Sequence, residues 1–459
     1  MKLTPLLWMI ATVLFGAYLE VISSSPYLAV LGTILLLIII YCVFRFSEDG
    51  YVNPVVIFSL MYSGYGLGAF YYSVSDGYFG KFLQFTTIDR PLIETRMLIA
   101  LIFAIICYIA FVFGYFGIGA KLSVWKINAK LLDEKIAKYG KYLSFIFIVC
   151  GFVYWIYVAQ VIAGGIVNLL VYFQAFEHMI KDSGISILPY QLYFIGVYLW
   201  ILSCVINNER IGVIFWFFVA LGCLIDLSTG RISLAFTFLA SIISFLYLSY
   251  PKLRSILKYI SVSCVLLMFV IYFLRELSNQ LFLGVDNVSV DYKDFVKIIV
   301  GGGNVSDLQQ LVIIFSYFDL NELLLGGTYF DWIRNTIGTY LGFDPSSVGL
   351  ILHEKFIPPH SGAPTPGAIG EAYANFYFLA PVVLVIIGVL FSMVRKFSIR
   401  SNSKFVLLVY SIFLTRFVLM YPKVDSTMLV NFLLLAVPLV LCGIILYFIP
   451  TTKFLISRS

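Results

Sequence analysis

Charge is what this chain has least of. Asp, Glu, Lys and Arg together make up 12% of its residues, about half the share of an ordinary soluble domain. So few charges cannot solvate the surface of a soluble globular protein of this length. Histidine occurs 3 times. The 7 cysteines, at positions 42, 107, 150, 204, 223, 264 and 442, all fall inside apolar windows, so no disulfide framework is indicated. There is no CxxC and no Cys/His spacing of the kind that binds zinc. No internal repeat is visible, and the two halves lack the matched broken helices of an inverted-repeat transporter. The net charge of +6 is no footprint of nucleic-acid binding, because the basic residues sort into a few loops with a membrane explanation.

Apolar residues fill the space. The hydrophobic fraction is 61% and the mean hydropathy is +0.99. Window after window, such as Tyr27 to Phe44 and Met97 to Gly117, is long enough for a helix to cross a bilayer core, which takes about twenty residues. The pattern predicts an all-α polytopic membrane protein with twelve spans, near 4–22, 27–44, 54–73, 97–117, 142–163, 190–206, 211–228, 232–249, 257–274, 376–394, 404–421 and 428–449. The first of these has the outline of a signal peptide, but no A-x-A-like site precedes the next span, so it is expected to be retained.

Three loops carry clustered cations: Lys121, Lys126, Lys130, Lys135, Lys138 and Lys141; Lys252, Arg254 and Lys258; and Arg395, Lys396, Arg400 and Lys404. In a twelve-span count all three lie on one side, which the positive-inside rule makes cytoplasmic, together with both termini. The expected organisation is therefore nine spans over 1–274, a large loop over 275–375 outside the cytoplasm, and three further spans over 376–459. Helical-looking pieces at 306–318 and 331–342, punctuated by glycine and proline, predict that this loop folds as an amphipathic cap on the membrane surface.

The polar residues of the outward face are few enough to consider singly. Arg231, Arg275, Arg334 and Arg416 form a set of cations at interface depth. Guanidinium forks match phosphate oxygens, so one reading is a clamp on an anion. The other is snorkelling or local pairing, Arg231 with Asp226 and Arg275 with Glu276. Arg416 resists the second reading most. It lies within an apolar span, where an unpaired guanidinium costs about 3 kcal/mol. His353 and His360 flank Pro358–Pro359, which interrupts any shared helix. As metal ligands they would need Glu354 or Glu371 as a third, at a spacing that matches no zinc signature. A general base or a sugar-hydroxyl contact suits them better, and an exposed loop position suits them equally. Glu371 is expected in the first turn of a helix, favoured there by the dipole, or as a carboxylate at the mouth of a cavity able to take a proton. Gly164–Gly165 and the segment after it read as a re-entrant or interfacial helix lining the same cavity. The triplets Asn287–Val–Ser and Asn304–Val–Ser fit the sequon pattern, which is common by chance.

The string Thr365–Pro–Gly–Ala–Ile–Gly–Glu371–Ala–Tyr373–Ala–Asn375–Phe376 resembles the proline-rich run and Gly-Glu-x-Tyr-x-Asn-Phe-Gly pattern of the Wzy-type polysaccharide repeat-unit polymerases of O-antigen and capsule pathways. Ser228–Thr–Gly–Arg231 is similar to that family's Gly-x-Arg element between central spans, and Gly326–Gly–Thr–Tyr329 to an element of its long loop. The layout also matches. Two departures stand: Tyr377 replaces the family's glycine, and the loop 164–189 contains no arginine, unlike members with arginine-rich repeats in two loops.

The resemblance implies a GT-C-like, membrane-embedded glycosyltransferase of the bacterial inner membrane, working without metal or cofactor. Donor and acceptor would both be oligosaccharides on undecaprenyl pyrophosphate, delivered by a flippase, with a chain-length regulator as a further partner. Arg231, Arg275, Arg334 and Arg416 would face the pyrophosphate; Tyr329, Trp332, Tyr373 and Asn375 the glycan; and Glu371, His353 or His360 would be the base, unranked. An O-antigen ligase shares plan and donor. A lipid-linked sugar flippase would place charge inside the bundle, where this chain has little. A non-catalytic scaffold leaves the clustering of His, Arg and Glu unexplained.

Overall fold

A computed structural model describes residues 3–23, 25–46, 50, 52–74, 90–125, 129–171, 188–228, 232–254, 308–318, 322–331, 333–335, 347–356 and 364–448. Among these there is no β-strand. The helices run α1 Leu3–Ile22, α2 Pro26–Phe46, α3 Pro54–Ser73, α4 Arg90–Val112, α5 Lys130–Ala163, α6 Ile166–Val171, α7 Gln191–Ile206, α8 Val213–Ser228, α9 Ile232–Ser249, α10 Leu308–Tyr317, α11 Val348–Phe356, α12 Gly367–Phe376, α13 Ala380–Arg400, α14 Lys404–Phe413 and α15 Leu429–Phe448. Short-range chemistry sets several ends. Asn53 accepts the Val55 N–H ahead of α3, with Pro54 at its first position, the standard start. Gly164, at φ +70°, closes α5 in the left-handed conformation that glycine tolerates.

Among the described residues six stretches are long and apolar enough to cross a membrane: Pro26–Phe46, Pro54–Ser73, Leu92–Gly119, Lys130–Ala163, Gly367–Arg400 and Ser426–Phe448. The chain is an all-α membrane-embedded protein. Four more of the expected spans coincide with shorter apolar helices, Pro5–Val21, Gln191–Ile206, Val213–Ser228 and Ser233–Ser249; the one at 257–274 lies outside the described residues. Two helices change pitch in mid-course. After α4 comes a π-turn, Phe113–Gly119, and after α14 another, Leu414–Val418, where the Leu419 N–H reaches back to Leu414 O at 2.9 Å. Such bulges often mark functional positions.

The chain divides into two discontinuous units. The first comprises Met1–Val124, Phe269–Lys396 and Phe413–Asn431. In a membrane, helices approach closely only where side chains are small, and here glycines supply that. A Cβ on Gly114 would stand 2.1 Å from Val385 O, and one on Gly388 2.2 Å from Phe111 O, so α4 and α13 cross backbone against backbone. α3 is the most enclosed of the six stretches, and its polar side chains are paired inward: Tyr62 donates to Ala104 O at 2.6 Å, and the Ser59 and Tyr108 hydroxyls meet at 2.6 Å.

α10 departs from expectation. Leu308 to Ile314 are all buried, Gln309 and Gln310 included, and the helix packs against α3, α4 and α12. It is an interior helix and not one lying on a surface, because the helices packed around it bury even its two glutamines.

The second unit comprises Trp125–Met268, Phe397–Ile412 and Phe432–Ser459. α5 and α7 form its spine, again through glycine. A Cβ on Gly151 would lie 2.3 Å from Tyr193 N, and one on Gly196 2.7 Å from Ser144 O. Asp133 of α5 accepts hydrogen bonds from Ser403 Oγ at 2.9 Å, Lys404 N at 2.9 Å and Phe405 N at 3.1 Å, capping α14 from another helix.

Candidate functional site

The polar chemistry of the first unit converges on α12. Its sequence GAIGEAYANF begins earlier than the span expected at 376, and a 3-10 turn at Tyr377–Leu379 separates it from α13. Gly367 sits at φ +66°, its N–H donating to Val424 O at 2.7 Å. A Cβ there would meet Pro422 O at 2.4 Å and the Tyr65 hydroxyl at 2.8 Å. A Cβ on Gly370 would meet Ile314 Cδ1 at 2.4 Å. The two motif glycines thus let α12 close against the 420–426 turn and against α10.

Glu371 comes one turn inside this helix, beyond the first turn where the sequence reading set it, and is 1% exposed. Its Oε2 accepts the Ser426 N–H at 2.8 Å, and its Oε1 accepts from the Ser426 and Thr328 hydroxyls, the latter at 3.2 Å. One turn on, Asn375 is equally occupied. Its Nδ2 donates to Thr328 Oγ1 at 2.6 Å and to Glu371 O at 2.8 Å, while its Oδ1 accepts the Gly326 N–H at 2.9 Å. Leu324 N to Ala374 O, at 3.1 Å, completes the seam. Three segments distant in sequence, 324–328, 371–375 and 424–426, are stitched by a buried network whose members satisfy one another.

Around this network stand further ionisable groups. Asp425 is 3% exposed. Its Oδ1 accepts both the backbone N–H, at 3.0 Å, and the hydroxyl of Thr427. Burial pushes its carboxyl above the usual carboxylate range; the Thr427 hydrogen bonds oppose the shift and nearby Asp331 adds to it. Tyr329 lies at the edge of the network, its ring stacked near Phe376 with centroids 6.2 Å apart. Burial, and secondarily the Glu371 carboxylate, drive its phenol well above the ordinary value. It is therefore a proton donor and not a phenolate.

The other expected site residues are scattered. Arg416 is 4% exposed within the π-turn, which packs against α3. His353, on α11, is half-buried with a buried Nδ1 that has no hydrogen-bond partner among the described residues. Arg334 is exposed. The Tyr373 ring is enclosed by Phe315, Phe103 and Tyr377, with centroids 4.1, 5.7 and 4.9 Å away, so it packs a core where a free face for a sugar was expected. Arg231, Arg275, Trp332 and His360 lie outside the described residues, as does the segment after α6. Among the described residues no group of three His, Cys, Asp or Glu side chains is arranged to hold a metal ion.

Thr328, Ser426 and Asp425 were missed by sequence reasoning. Asp425–Ser–Thr before an apolar run is a legible helix start, but nothing local shows that its donors turn toward Glu371. No protein-family model, curated protein or solved structure matches this chain.

Proposed function

We propose that this protein is a membrane-embedded glycosyltransferase that joins undecaprenyl-pyrophosphate-linked oligosaccharide repeat units into a surface polysaccharide, at the outer face of the bacterial inner membrane. The observation that carries the reading is the seam itself. Gly326–Tyr329 and Thr365–Phe376, the two elements that carry the resemblance to Wzy-type polymerases in the last third of the chain, are bound to each other through Gly326 N to Asn375 and Thr328 to Glu371.

The chemistry asked of such a site is modest. Charge develops on a pyrophosphate leaving group at the membrane interface, where fixed cations stabilise it; Arg416 is the buried candidate, with Arg231, Arg275 and Arg334 as the others. The acceptor hydroxyl must lose a proton to a base, for which Glu371, His353 and His360 are candidates. Glycan contacts fall to Tyr329 and Trp332.

The test is a gel profile of surface polysaccharide and lipid-linked glycans from a strain deleted for this chain. Loss of the ladder, with single repeat units on the final carrier, is the expected result. Full-length polymer stranded on the lipid carrier would make the protein a ligase, and repeat units trapped on the cytoplasmic side a flippase.

A further inference from the structure

We infer that Asp425 takes the proton from the acceptor sugar hydroxyl, with Tyr329 and Tyr421 holding that hydroxyl's oxygen, while Glu371 is a strut that positions them. The inference rests on the glycosyltransferase reading above and names the acceptor side of its site.

A general base needs a lone pair turned toward its substrate. Glu371 has three donors on its two oxygens, all from the protein's own Ser426 and Thr328. Taking a proton there would break the contacts that join three chain segments. Asp425, the residue before Ser426, is built differently. Both hydrogen bonds from Thr427 converge on Oδ1, and Oδ2 is left without a hydrogen bond among the described residues.

A second, independent feature stands beside it. Tyr421 is 1% exposed, and among the described residues its hydroxyl and the buried hydroxyl of Tyr329 have no partner but each other. The paired phenols lie in electrostatic reach of both Glu371 and Asp425. When one phenol donates to the other, one buried O–H is left to donate, and a buried donor calls for an acceptor. An alcohol answers both halves of the site, since its oxygen accepts from phenol and its proton leaves to carboxylate. A phosphate does not, because Glu371, Asp425 and Asp331 would repel it. In the transfer, the acceptor O–H gives its proton to Asp425 Oδ2 as the oxygen bonds to the donor's anomeric carbon. The bond from that carbon to pyrophosphate breaks, the electron pair leaves on the lipid pyrophosphate, and the proton then passes from Asp425 to water.

The experiment uses the full-length protein in liposomes, supplied with lipid-pyrophosphate-linked repeat units as donor and acceptor. Asp425→Asn keeps an Oδ1 for Thr427, and Asn caps a helix about as well as Asp, so the fold is expected to persist. Loss of a general base lowers the rate by about 10²- to 10⁴-fold, and Asp425→Asn is expected to fall in that range, further than Glu371→Gln. Tyr421→Phe is expected to raise the acceptor KM more than it lowers kcat. Folded Asp425→Asn keeping more than about a tenth of the wild-type rate would overturn the assignment while leaving the transferase reading intact. Wild-type protein that forms no polymer would overturn both. If the Asn variant does not fold, the wild-type pH profile decides. The groups facing Asp425 are Asp331, Glu371, Tyr329 and Tyr421, and a buried base among them gives an acid limb above about pH 4, the value of an unperturbed Asp. A rate flat down to that pH would overturn the proposal.

Discussion

Glu371→Ala and Glu371→Gln separate a structural carboxylate from a merely local one. Alanine removes the acceptor of three donors at a site 1% exposed. The Ser426 hydroxyl has a second acceptor in Thr328 O, 3.3 Å away, so it recovers. The Ser426 N–H does not, and the Thr328 hydroxyl loses its acceptor. Two buried donors left open cost about 1–3 kcal/mol each, so together about 2–6 kcal/mol, and the vacated volume adds to that. Domains have about 5–15 kcal/mol of stability in all, so the Ala variant is expected to accumulate poorly and to melt well below wild type. Glutamine keeps the shape. Its carbonyl can take the Ser426 N–H while its amide donates to the two hydroxyls, which turn to accept. The loss is then that of re-pairing the two hydroxyls around the amide, about 1 kcal/mol. The assay is the melting temperature of detergent-solubilised protein followed by size-exclusion fluorescence, with the order wild type above Gln above Ala. An Ala variant that melts with wild type would refute the claim that this carboxylate joins the three segments.

Three further outcomes follow from the same geometry. Gly367→Ala puts a side chain at φ +66°, costing about 1–2 kcal/mol for the conformation alone, and drives its Cβ into Pro422 O; a clear fall in melting temperature and in polymer yield is expected. Gly388→Ala should separate α4 from α13, since its Cβ would stand 2.2 Å from Phe111 O; reduced membrane accumulation measured by immunoblot checks this, and normal levels would refute the close crossing. Arg416→Ala should lower polymer synthesis about tenfold or more, the worth of a charge-assisted contact to phosphate. Arg416→Lys, which keeps charge but not the fork, should recover part of it in the same ladder assay.

Helical, membrane-embedded character was legible because it depends on composition and run length alone. The start of α3 was legible too, as Asn53–Pro54 is a local signal. Glu371 was legible as a residue of interest but not as a strut, since its partners are 43 and 55 positions away in sequence. Tyr373 misled for a related reason. Its ring looked available beside a polar string, and only the packing of Phe103 and Phe315 shows it enclosed. α10 misled because a short apolar helix within a long polar segment reads as a surface element until α3, α4 and α12 are known to surround it.

By itself, then, the sequence determined that this chain is helical and lives in a bilayer, because twenty-residue apolar runs leave the backbone no other way to satisfy its hydrogen bonds there. It also determined some helix ends, such as the Asn53–Pro54 start of α3 and the Gly164 stop of α5, through capping side chains and glycine that act over a few residues. The tertiary structure alone decided which polar groups meet. A carboxylate's role depends on the donors brought to it, and those bringing Ser426 and Thr328 to Glu371, and leaving one oxygen of Asp425 open, are set by glycine-tight packing of segments far apart in the chain.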